Sequence, residues 1–147
     1  MPISDISLGR DMTITVMHAL APSGGRLDLQ IVTGFDSKEN RKKIQVPGLD
    51  GRTRTAYVPE SYDMTIETSR GNNEMDLFFS ALDTAYRAGV NIPTGAVYTT
   101  VLEADGSTTT TLYDKVSFTR NDSGKWTQDS DTKQSFMGTA ETKQVIS

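Results

Sequence analysis

A chain of 147 residues is long enough for one hydrophobic core but not for two independent ones, and with 35% hydrophobic and 23% charged residues it is polar for a compact monomer without being as polar as a disordered chain. The absence of cysteine excludes disulfides, thiolate metal sites and thiol nucleophiles together, so nothing points to an oxidising compartment. A net charge of -4 argues against a sequence-independent grip on nucleic acid, which needs a positive surface to release counterions from phosphates.

The opening "MPISDISLGR" lacks the basic-then-apolar build of a signal peptide, and no stretch approaches the roughly 18 consecutive apolar residues of a membrane span. A soluble protein made in the cytosol is expected, with no membrane partner. Residues 1–147 read as a single domain with residues 1–10 as an N-terminal arm, part of whose apolar surface is completed by neighbouring subunits.

In chain order, "DMTITVMH" from Asp11 alternates, with Met12, Ile14 and Val16 on one side and Thr13 and Thr15 on the other, which predicts a half-buried strand. After the turn "PSGG", "RLDLQIV" from Arg26 repeats the pattern with Leu27, Leu29 and Ile31 inward and Asp28 and Gln30 outward. Asp36 to Glu60 holds two short apolar pieces around "PGLDG" and reads as a protruding hairpin or long loop. It carries Lys38, Arg41, Lys42, Lys43, Arg52 and Arg54 beside Ile44, Val46, Leu49, Tyr57 and Val58. So polar a segment is expected to stay mobile until a neighbouring subunit supplies a groove, which makes 36–60 a candidate assembly loop. "YDMTIETS" from Tyr62 alternates again, with Tyr62, Met64 and Ile66 inward and Asp63, Thr65 and Glu67 outward.

"NEMDLFFSALDTAYRAG" predicts the one helix, with Asn73 as N-cap, Glu74 and Asp76 in the first turn and Gly89 just past the end. Met75, Phe78, Phe79, Leu82 and Tyr86 form its apolar stripe. Strands follow from Ala96 to Glu103 and, after "ADGS", from Thr108 to Thr119, where the run Thr108 to Thr111 suits a pleated surface with a permanently wet face. A turn "RNDSGKW" leads to a last strand near Lys133 to Val145.

No set of residues carries chemistry. His18 is the only histidine and ends the first strand, which favours a structural role. "DSD" at Asp129 to Asp131 lacks the glycine and the glutamate of a calcium loop. "SDTK" lacks the partner motifs of serine acyl-transferases, and "SGKW" lacks the first glycine and the magnesium-binding hydroxyl of a phosphate-binding loop. Asp63, Glu67, Glu74 and Asp76 do not define a catalytic carboxylate pair. A monomeric β-sandwich binding module would need clustered aromatics, whereas Tyr57, Tyr62, Tyr86, Tyr98 and Tyr113 are scattered. No enzyme activity, metal or cofactor is expected.

The succession of "DMTITV", "DGRTR", "VPESYDMTIETSRGNNEMDLFFSALDTAYRAG" and "EADGSTTTTLYDKVSFTRNDSGKWTQDSDTKQSFMGTAE" resembles the tail tube proteins of tailed bacteriophages, a family that shares its fold with the inner tubes of contractile injection systems. Where many relatives carry a Gly-Trp-like pair after Pro-Glu, this chain has Ser61 and Tyr62. The resemblance implies a mainly β fold of two packed antiparallel sheets, as a sandwich or barrel, with one flanking helix and a long protruding loop. It also implies hexameric rings stacked into a tube, in a virion tail made in a bacterial cytoplasm. Sheath, tape-measure, baseplate and tail-terminator proteins would be partners, and DNA would pass without specific binding. A wide barrel leaves an aqueous channel, so alternate residues of its lining strands must be polar. Asp28, Gln30, Asp63, Thr65 and Glu67 are the candidate channel-lining residues. The inner tube of a phage-like injection device is the nearest alternative, and a monomeric β-sandwich module the alternative from another class.

Overall fold

The computed structural model describes residues 12–21, 24–27, 31–122, 124–128 and 130–146. The elements run β1 (Met12–Met17), β2 (Arg26–Leu27), β3 (Ile31–Pro47), β4 (Thr53–Ser69), α1 (Glu74–Arg87), β5 (Gly95–Leu102), β6 (Thr108–Asp122) and β7 (Lys133–Val145). The strands pair antiparallel in one seven-stranded sheet of order β2-β1-β5-β6-β7-β4-β3. The fold is mainly β with one helix, as expected, but in place of two separate sheets there is one continuous sheet, not closed into a barrel. The reason is strand length: β7 pairs with β6 from Ser135 to Val145 and with β4 from Lys133 to Ala140, so the two halves share a strand and cannot separate.

This sheet curls on itself. Between β6 and β3 lie β7 and β4, which would hold them about 14 Å apart in a flat sheet. Yet Ser37 Oγ of β3 lies 3.0 Å from the Tyr113 hydroxyl of β6, and the Phe35 and Tyr113 rings are 6.3 Å apart. From β7, Lys143 reaches Glu39 at 3.1 Å and lies over the Tyr113 ring. The curl is helped by an irregularity opposite Ala96, where Gly95 pairs with Val116 but Val97 pairs with Tyr113. Lys115 sits there at a φ of 52°, with its N–H donating to the Asp114 side chain. One residue in the left-handed region shifts the alternation, so Tyr113 and Val116 both face the core.

Inside the curl, Val16, Met64, Ile66, Val97, Val116 and Phe136 are fully buried, the first, second and third of them as the alternation of β1 and β4 predicts. The helix closes the open side. Phe78 packs edge-on to Phe118 at 5.9 Å, and Phe79 to Phe136 at 5.8 Å. Its first turn is tied down by Asp76, which accepts hydrogen bonds from Arg70, Arg120 and Gln134. Burial pushes the Asp76 carboxyl up, but the Arg120 and Arg70 guanidiniums outweigh it and hold the group below its ordinary value.

Two helix expectations need correction. Asn73 holds the N-cap position as expected, but its side chain makes no capping hydrogen bond; Asn72 Oδ1 accepts the Glu74 N–H, at 3.2 Å. Tyr86, the last residue of the predicted stripe, is exposed rather than buried. Past the helix, Gly89 (φ 71°) and Val90 donate back to Tyr86 and Ala85, a double hydrogen-bonded stop that depends on the glycine.

At Gly95, β5 passes hard against the end of β1. A Cβ there would stand 2.5 Å from the Met17 carbonyl oxygen and 2.8 Å from the Phe118 ring. Gly95→Ala is therefore expected to lower stability by about 1–3 kcal/mol through overpacking. The urea midpoint should fall with an unchanged denaturant slope; an unshifted midpoint would contradict the contact.

Candidate functional site

On β4 the alternation that buries Met64 and Ile66 turns Asp63, Thr65 and Glu67 to the opposite face. The partner strands continue that row. Asp63, Thr65 and Glu67 stand opposite Thr139, Met137 and Ser135 of β7, and Thr139 and Met137 in turn stand opposite Ser117 and Thr119 of β6. On the other side, Lys38, Asp36 and Gly34 of β3 align with Asp63, Thr65 and Glu67. A Cβ on Gly34 would lie 2.9 Å from Glu67 Oε2, so the missing side chain leaves room for this carboxylate.

Asp63 is held in position: Thr139 Oγ1 donates to it at 3.0 Å and Asn40 Nδ2 at 2.8 Å. The result is a wall of hydroxyls and carboxylates with one lysine at its edge and a single apolar member, Met137. No histidine stands on it among the described residues. His18 lies elsewhere, packed against Phe78 at 5.0 Å, with Nδ1 accepting the Leu20 N–H and Nε2 donating to the Pro93 carbonyl. Among the described residues no cluster of histidine, cysteine or carboxylates could hold a metal ion, and no helix is long and apolar enough to cross a membrane.

Of the candidate channel residues, Asp63, Thr65 and Glu67 thus share one face. Asp28, Gln30 and residues 1–10 lie outside the described residues. Ser135, Met137, Thr139, Ser117 and Thr119 were not anticipated. The alternation of "QSFMGTAE" carries the signal for the first three of these, since Phe136, Gly138 and Ala140 are buried.

The candidate assembly loop is a two-stranded ladder in which β3 and β4 pair from Ile31–Ser69 out to Pro47–Thr53. Beyond the irregularity at Asn40/Arg41, neither strand has a second neighbour among the described residues. The resulting arm has two unlike faces. Opposed pairs put Ile44, Val46, Ala56 and Val58 on one face, flanked by Lys42 and Arg54. Arg41, Lys43, Gln45, Thr55 and Tyr57 occupy the other, so Tyr57 belongs with the cations. Lys38 lies on the body, aligned with Asp63, and Leu49 and Arg52 belong to the turn. Val46 is 57% exposed and Leu49 fully so.

A third feature is a cleft of about 750 Å³ lined by α1 from Asp76 to Arg87, His18, residues 92–93 and residues 117–120 of β6. It opens where β5 stops at Gly95; Pro93 has no N–H with which to extend the ladder along β6.

No family model and no curated protein matches the chain. Solved structures do. The chain is similar to the tube-terminating cap of the anti-feeding prophage, with a TM-score of 0.65 and 12% identity over 99% of this chain and 94% of that one. It is similar to a chain of the sheath–tube complex of PVC, an extracellular contractile injection system, in its extended state (TM-score 0.62, 10% identity, 98% and 95% covered). A chain of the tail of an empty gene transfer agent particle is also similar (0.53, 10% identity, 97% and 100% covered). These likenesses give the chain a tail-tube-like fold.

The setting of His18 makes a pH prediction. Burial pushes its pKa down from 6.5, opposed in part by the Pro93 hydrogen bond, whereas the unfolded chain binds the proton at the ordinary value. Stability is then full above pH about 6.5 and falls as the pH drops from there through the lowered value. Urea midpoints should decline between pH 7 and 5 in the parent, and this decline should vanish in His18→Gln. A parent midpoint flat over that range would contradict the buried neutral imidazole. Asp76, Glu39 and Asp131, all held below their ordinary values, act in a separate window, nearer pH 4.

Proposed function

We propose that this protein is a structural subunit of a phage-type tail tube, a single domain that assembles into hexameric rings stacked around a polar channel through which DNA is delivered. The observation that carries this reading is the face formed by Asp63, Thr65 and Glu67 with their β7 and β6 partners: a hydrated, weakly acidic surface backed by a complete core. Duplex DNA carries one charge per roughly 1.7 Å and is held by walls that release its counterions. Hydroxyls and carboxylates release none, so such a wall lets DNA pass. Support for the ring comes from the tail-tube-like fold and from the C6 symmetry of the gene transfer agent tail. Sheath, baseplate, tape-measure and terminator proteins are the natural partners, the virion tail the location, and the host cytoplasm the site of synthesis. The β3–β4 arm is the assembly element, since its apolar face has no cover among the described residues.

A second reading has an observation in its favour. The neighbours with TM-scores of 0.65 and 0.62 belong to the anti-feeding prophage and an extracellular contractile injection system. The same subunit could therefore form the tube, or its terminating cap, of an injection device rather than of a phage.

Two variants test the proposal. Thr65→Lys with Glu67→Lys leaves the hydrogen bonds of Asp63 untouched and places cations on the wall. Assembled tubes should form as before but retain duplex DNA at low salt, where the parent's tubes release it, and the retention should fall steeply with added salt. Equal release by both would remove this face from the channel. Replacing Lys42 to Val58 with a Gly-Ser bridge should leave a folded monomer that sediments as such at every concentration. Normal rings from that variant would remove the arm from assembly.

A further inference from the structure

We propose that His18 is an acid-released latch: its neutral ring holds the turn that follows β1, and on protonation it lets go of Leu20 while keeping its hold on Pro93. This concerns the subunit itself and does not rest on the assembly reading above.

The hydrogen bonds fix the tautomer. The Leu20 N–H can only donate, so Nδ1, 3.0 Å away, carries the lone pair. The ring proton then sits on Nε2, which donates to the Pro93 carbonyl at 2.8 Å. One imidazole thereby joins the turn after β1 to the segment between α1 and β5. The main chain of His18 closes the same turn, its N–H donating to the Gly25 carbonyl at 2.9 Å and its own carbonyl accepting the Ala21 N–H at 3.1 Å.

An added proton has only Nδ1 to go to. The imidazolium has two donors and no acceptor, so the new Nδ1–H and the Leu20 N–H would point hydrogens at each other. The bond from Nε2 to Pro93 survives and becomes charge-assisted. Nor is the ring free to turn aside. Phe78 and Phe118 stand edge-on to it at 5.0 and 6.0 Å, and its Cδ2 would lie 3.0 Å from a Cβ on Gly95. His18 is 5% exposed whereas Leu20 is half-buried, so the contact is relieved from the Leu20 side. Since β1 and β2 end the sheet, acid loosens a turn at its edge while the core stays folded.

The charges around the ring balance. α1 brings Asp76, Asp83 and Arg87 to the cleft that His18 lines, and β6 brings Arg120. Asp76 is already taken by Arg70 and Arg120. The start of β2 adds Arg26, and Ile92 to Val97 carry no charge. Among the described residues only Leu20 and Pro93 hydrogen-bond the ring, whose pKa burial lowers and the Pro93 bond partly restores. The latch is therefore closed at pH 6.5 and above, and opens as the pH falls through the lowered value.

NMR spectroscopy of the full chain tests this. At pH 8 the nitrogen shifts of the His18 ring should show a bare Nδ1 and a protonated Nε2. As the ring titrates, amide protection at Leu20 should fall about 5-fold relative to Phe136 and Gly138 in the sheet, the size expected for one lost hydrogen bond. A global loss of stability would instead expose all three amides together. In His18→Gln, which has no proton to gain, the ratio should not change with pH. The opposite tautomer at pH 8, a constant Leu20 ratio through the ring's titration, or an equal fall in His18→Gln overturns the proposal. So does a ring still neutral at about pH 4, where the carboxylates titrate instead. The parent's ring shifts and exchange ratios decide the matter even where the variant does not fold.

Discussion

The contact on which the rest of the molecule depends is that of four rings, Phe78 and Phe79 of α1 against Phe118 of β6 and Phe136 of β7, with centroids 5 to 6 Å apart. A sheet open at both edges has no intrinsic reason to curl tightly, and a helix of this length is marginal alone. Burying an aromatic ring contributes about 2–3 kcal/mol, so the cluster joins two elements neither of which is stable without the other. It also decides which face of the sheet is inside. Once Ile66, Phe136 and Phe118 point at the helix, Glu67, Thr65, Met137 and Thr119 must point away, and the polar wall follows from a period of two.

The sheet's edges show how such a body avoids indiscriminate pairing. β3 is interrupted at Val32/Gly34 and again at Asn40/Arg41, and beyond the second break it carries Lys42, Lys43 and Pro47. Register breaks, charge and proline all discourage the stacking of edges on edges. At the other edge the described part of β2 is Arg26–Leu27.

Much of this was legible in the residues, wherever one face is core. The alternations of "DMTITV" and "YDMTIETS" identify Val16, Met64 and Ile66 as buried and Asp63, Thr65 and Glu67 as facing away, and the structure agrees. Gly89 ends the helix and "PGLDG" turns the arm. Where no core stands behind a segment, the pattern is harder to read. In "RKKIQV" and "RTAYV" the alternation is present, but the cations mask it, so the segment reads equally as a hairpin or a long loop, and the structure makes it a hairpin. The single continuous sheet was hidden for another reason: a shared strand is a long-range fact, and at Lys115 the left-handed residue breaks the period that would have revealed it. The cleft was invisible because it is made by an ending, β5 stopping at Gly95, rather than by any motif. Thr108 to Thr111 do form a strand, with Thr99 and Thr100 opposite Thr111 and Thr110, so the hydroxyl run is one side of a cross-strand threonine ladder.

The central claim is that this curled sheet is one segment of a larger wall, with its polar face toward an axial channel. Electron microscopy of the purified parent protein over a range of concentrations, carried to a resolution at which strands are visible, tests it most directly. The account predicts sixfold rings or tubes whose lumen displays Asp63, Thr65 and Glu67 and whose α1 lies away from the axis. A protein that stays monomeric at every concentration, or rings in which that face is buried between subunits, would contradict it.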